Sequence, residues 1–73
     1  MNYIVESTLR YLNDRGCEAE IVGKRNGHGN LELHILGYRT RTSTHRTWLA
    51  FGIGGTFDSA CADMAQDILD NLV

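Results

Sequence analysis

Residues 17–36 read CEAEIVGKRNGHGNLELHIL, and their period decides the fold. Ala19, Ile21 and Gly23 alternate with Glu18, Glu20 and Lys24, so one side of the segment is apolar and the other wet, the pattern of a half-buried strand. The run RNGHGN over 25–30 then supplies the asparagines and glycines that a hairpin turn requires, because these residues accept turn conformations that most side chains resist. Beyond it Leu31, Leu33 and Ile35 alternate with Glu32 and His34, and Tyr38 continues the wet side. Two antiparallel strands are therefore expected over 17–38.

Outward from this hairpin the pattern changes on both sides. Upstream, Ile4, Val5, Thr8, Leu9 and Leu12 gather on one side of a helix, with Asn2 placed to cap its start and Gly16 to end it. Downstream, the stretch YRTRTST over 38–44 extends the second strand past a bulge at Gly37, with Arg39 and Arg41 on one face and Thr40 and Thr42 on the other. A short apolar third strand covers 47–53, TWLAFGI. The final segment carries Ala60, Cys61, Met64, Ala65, Ile68, Leu69 and Leu72 at helical spacing, with Asp63, Asp67 and Asp70 opposite. Burying Ile68 or Leu69 contributes roughly 1.5–3 kcal/mol each, so loss of Leu69 is expected to unfold the chain. The expected architecture is one α+β domain over residues 1–73, in the order α-β-β-β-α, with a three-stranded antiparallel sheet and two helices packed on one of its faces.

Composition narrows the function. Seventy-three residues with 42% hydrophobic content make one small core and leave no second lobe to form a cleft. The chain has neither an 18-residue apolar run nor a basic start followed by a hydrophobic stretch, so a cytoplasmic protein is expected. Net charge is −2, against the basic field typical of nonspecific nucleic-acid binders. All seven bases lie between Arg10 and Arg46, whereas residues 47–73 hold four aspartates and no base. Cys17 and Cys61 occupy apolar positions and read as buried thiols. With no CxxC, HxxxH or HExxH, and with His28, His34 and His45 in different segments, neither a metal nor another cofactor is expected. No nucleophile motif, phosphate loop or carboxylate pair suggests an enzyme.

The element order and length resemble those of a double-stranded RNA-binding domain. Gly52, Gly54, Thr56, Ala60, Ala65 and Leu69 are similar in spacing to the glycine-rich entry and alanine-rich repeat of that family's last helix. The turn with Gly27 and His28 resembles the family's loop that enters a minor groove. The resemblance implies lysines at the start of the last helix, where charge and free backbone N–H groups hold phosphates. Here that region has Phe57, Asp58 and Cys61 instead, and a cap from Thr56 or Asp58 fills the anion position.

Three expectations follow. The first is a non-catalytic protein-binding module, a small regulator or inhibitor of a larger complex. It works through the open sheet face, which carries some of Glu18, Glu20, Lys24, Glu32, His34 and Tyr38, together with Trp48 and the carboxylates Asp63, Asp67 and Asp70, which suit a basic groove. Tyr11 is a further aromatic anchor. For the third strand, Leu49, Phe51 and Ile53 are expected to face the helices, leaving Trp48 exposed. In size and composition the chain resembles anti-CRISPR and other anti-defence proteins of phages and mobile elements. The alternative is RNA or DNA binding through Lys24, Arg25, His28, Arg39, Arg41 and Arg46, a basic set on turn and strand ends. The third is a homodimer through exposed strands or the Trp48 face.

Overall fold

The computed structural model describes residues 2–72, and its element order is helix α1 (Tyr3–Asp14), strands β1 (Glu20–Arg25), β2 (Leu31–Gly37) and β3 (Thr47–Gly54), and helix α2 (Phe57–Asp67). A single π-helical turn, Ile68–Leu72, continues α2. The sheet is antiparallel with β2 in the centre. This is the α-β-β-β-α order expected, and it is compatible with the arrangement of double-stranded RNA-binding domains.

Local chemistry accounts for the boundaries. The Asn2 side-chain oxygen accepts from the N–H groups of Ile4 (2.8 Å) and Val5 (3.3 Å), which otherwise lack partners at a helix start. Gly16, with φ of +77°, follows the end of α1 in the left-handed region where a Cβ is unfavourable. In the hairpin, Asn26 pairs its N–H with the Asn30 carbonyl (2.9 Å), and its side-chain oxygen accepts from the N–H groups of His28 and Asn30. At α2, Thr56 accepts from the Ser59 N–H (3.1 Å) while the Ser59 hydroxyl accepts from the Thr56 N–H (3.0 Å), a reciprocal cap.

One core lies between the sheet and both helices. Val5 and Leu12 of α1 meet Leu33, Ile35, Leu49 and Ala50 of the sheet and Ala60, Cys61, Met64, Ala65 and Ile68 of the C-terminal helical segment. Cys17 and Cys61 are buried free thiols, as their positions suggested. Helix α2 lies very close to β3. A Cβ added at Gly52 would overlap the Ala60 carbonyl and the Met64 backbone, and one at Gly54 would sit 2.7 Å from the Ala60 nitrogen. Backbone-to-backbone contact of this kind needs glycine on the inner face.

Three expectations are corrected. Residues 38–46 form a loop and not an extension of β2. The hydroxyls of Thr40, Thr42 and Ser43 bond one another, and Ser43 accepts from the Thr40 N–H, so local side-chain bonds replace a strand ladder. Second, Phe51 and Ile53 face away from the helices. Leu36 pairs with Trp48 and Ile35 with Ala50, which leaves Leu49 as an extra, bulged residue. Leu49 and Ala50 are both buried, so the alternation inverts at the bulge. The break falls there and not at Gly37. Third, Leu69 is about half exposed (49%), because the wider π turn rotates it out of the stripe while Ile68 remains fully buried.

Candidate functional site

The face of the sheet opposite the helices carries an aromatic cluster. Alternation along each strand places Val22 of β1, His34 and Leu36 of β2, and Trp48, Phe51 and Ile53 of β3 on this side. The His34 ring lies 4.6 Å from that of Trp48 and 4.8 Å from that of Phe51, centroid to centroid, and is tilted to both. These are favourable aromatic geometries. Trp48 is 55% exposed and Phe51 39%, so two large apolar rings face solvent beside the half-buried Val22, Leu36 and Ile53. His34 Nδ1 is buried beneath them and has no hydrogen-bond partner among the described residues.

Charge borders this patch without dominating it. Glu20 and Lys24 are exposed and Glu32 half-buried on the same side of the sheet. Arg46 donates to Glu20 Oε2 (3.0 Å) and to the carbonyls of Glu18 (2.9 Å) and Leu36 (3.3 Å), clasping the entry to β1 against the end of β2. Glu18 itself sits in the turn before β1, in the left-handed region with φ of 48°. Tyr38, assigned to the open face from sequence, packs instead against the core beyond the end of β2, and its N–H donates to the Cys17 carbonyl (2.7 Å).

The aspartates of α2 take a role that sequence spacing did not show. Asp63 Oδ2 accepts from the Ile53 N–H (2.9 Å) and Asp67 Oδ2 from the Phe51 N–H (2.8 Å). Both amides point outward from the free side of β3. Two residues along a strand span about 6.8 Å and four along a helix about 6.0 Å, so aspartates four apart match amides two apart. Asp67 also accepts from the Asn71 side chain, and Asp70 from Gln66 (2.9 Å). Asp63 and Asp67 thus bind their own sheet edge, while Asp58 lies in the first turn of α2.

The basic residues are dispersed. Lys24 borders the open face, Arg25 donates to the Gly29 carbonyl (2.8 Å), and His28 is in the exposed hairpin turn. Arg39 and Arg41 belong to the 38–46 loop and line a groove of about 790 Å³ with Tyr11, Leu12 and Arg15 of the α1 end. His45 is exposed in the same loop. The structure therefore gathers His34 and Trp48 and joins Phe51 to them, with Asp63 and Asp67 held along the β3 edge beside them, while Tyr38 packs against the core and Arg39 and Arg41 lie in the 38–46 loop. A period-two reading interrupted after Trp48 would have found Phe51; a bulge leaves no mark in composition.

Among the described residues no cluster of three or more His, Cys, Asp or Glu is placed to hold a metal, and no helix is long and apolar enough to cross a membrane. Comparison of the chain with protein-family models, curated proteins and solved structures finds no match.

Proposed function

We propose that the protein is a non-catalytic protein-binding module, a regulator or inhibitor of a larger complex, whose contact surface is the open face of the sheet. The observation that carries this reading is the His34, Trp48 and Phe51 cluster: rings held against one another on a sheet, two of them exposed, over a buried nitrogen that lacks a partner among the described residues. Rigid aromatic side chains lose little entropy when covered, and they dominate the desolvated centres of protein interfaces, while charges collect at the rim. Glu20, Glu32 and Lys24 supply such a rim. The mixed signs favour a polypeptide over a polyanion, whose capture needs several free cations together.

The test is capture of partners by the tagged chain, by Trp48→Ala and by a variant with Arg39 and Arg41 changed to Ala. A partner held by the wild type and the arginine variant but weakened at least about 30-fold by Trp48→Ala supports the proposal. Equal retention by all three sinks it. Binding to duplex RNA or DNA that falls steeply with salt and is lost with the arginines would establish the nucleic-acid reading in its place.

A further inference from the structure

A small sheet has two edges, and this one treats them differently. On β3 the outward amides of Phe51 and Ile53 are taken by Asp67 and Asp63. That edge is closed to another strand, since an incoming carbonyl would have to displace a carboxylate.

The β1 edge is capped only just before its start, where the Asn13 side chain accepts from the Ala19 N–H (2.6 Å) and donates to the Ala19 carbonyl (3.0 Å), and from Ile21 onward it is composed in the opposite way. Asn26 and Asn30 form a hydrogen-bonded pair at the hairpin (2.9 Å), and the antiparallel alternation makes Lys24 with Glu32, Val22 with His34, and Glu20 with Leu36 the bonded pairs along β1 and β2. Ile21 and Gly23 therefore aim both their N–H and C=O groups away from β2. The outward amides of Phe51 and Ile53, opposite His34 and Glu32, agree with this phase on the other side of β2.

Residues 20–24 read EIVGK, which is complementary to itself when reversed. We propose that two copies of the chain associate through their β1 edges, antiparallel, about a twofold axis at Val22. In that register Ile21 and Gly23 exchange N–H···O=C bonds with Gly23 and Ile21 of the second copy, so the outward groups meet each other. Glu20 lies opposite Lys24 of the second copy, twice by symmetry, and Val22 opposite its equivalent at the close, non-hydrogen-bonded position that suits β-branched pairs. On the helix side Ile21 faces a glycine, so no two large side chains collide. Glu20 holds Arg46 through Oε2, leaving its other oxygen for the lysine. Axes at Ile21 or Gly23 keep the hydrogen-bond phase but lose both charge pairs, and axes between residues lose the phase. The product is a six-stranded sheet with its two aromatic clusters on the same face, an isologous contact that uses the rim charges Glu20 and Lys24 but none of the rings.

The experiment is sedimentation equilibrium at low salt from about 10 µM to about 1 mM. The expected mass rises from 8.2 kDa toward twice that value. Glu20→Lys and Lys24→Glu each set like charges opposite one another and should weaken self-association about tenfold or more. An equimolar mixture of the two variants should associate again, because every cross-copy pair is then opposite in sign, and so should the double variant. Far-ultraviolet circular dichroism confirms that these exposed substitutions leave the fold intact. A wild-type mass fixed at 8.2 kDa over the whole range overturns the proposal, as does self-association that ignores both reversals and disappears with Trp48→Ala.

Discussion

His34 and Leu69 show what a single residue's surroundings do to its sequence-based reading. The alternation of β2 places His34 on the outer face, and there it sits, but beneath two rings, with Nδ1 buried and without a partner among the described residues. Leaving such an atom without a partner costs on the order of 1–3 kcal/mol. His34→Phe is therefore expected to raise the unfolding free energy by about 1 kcal/mol in urea titration, while the reach toward a polar partner group is lost. An unchanged or lower midpoint would show that the imidazole is satisfied in solution. Leu69 belongs to the helical stripe by spacing yet is half exposed, whereas Ile68 beside it is wholly buried. Ile68→Ala should cost about 2–5 kcal/mol and Leu69→Ala less than about 1 kcal/mol, in the same titration. The reverse order would mean that the π turn does not persist in solution.

Elements were legible where their chemistry is local. Asn2, Gly16, the Asn26 turn and Thr56 each announce a boundary, because a cap or turn is decided by a few neighbouring residues. The Leu49 bulge and the role of the α2 aspartates were not legible. Helical spacing shows that Asp63 and Asp67 share a polar side, but not that the side faces a strand edge. These bonds make a prediction at the level of the helix and strand pair. In Asp63→Ala with Asp67→Ala, the amides of Ile53 and Phe51 should exchange with deuterium at least about tenfold faster in nuclear magnetic resonance, and stability should fall by about 1–3 kcal/mol. Exchange unaltered at those two positions would place the carboxylates in water instead. Freed of its carboxylates, the β3 edge should also make the double variant more prone to aggregate.

For the molecule as a whole, pH links the core to stability through Cys61. Burial pushes this thiol above its ordinary range, although a hydrogen bond from the Asn2 backbone N–H opposes it. A raised folded-state value means that the native chain keeps a proton that the unfolded chain releases from about pH 8.5 upward. The contribution is fully present below that pH and is lost as pH rises toward the folded-state value. The urea midpoint of the wild type should therefore fall more steeply between about pH 8 and about pH 10 than that of Cys61→Ala. Parallel profiles would remove Cys61 from the alkaline response. The same core shows where sequence and tertiary structure divide their work. Periodicity, caps and turn residues suffice for α-β-β-β-α and for the buried thiols, because each is set by neighbours along the chain; Trp48 is exposed as expected, but beside Phe51 and Ile53 and not opposite them. The inverted face of β3, the Phe51 partner of the aromatic cluster and the aspartates bound to the sheet edge depend on α2 resting against Gly52 and Gly54. Contacts of that kind join residues far apart in the chain, and only packing in three dimensions brings them within hydrogen-bonding or van der Waals reach.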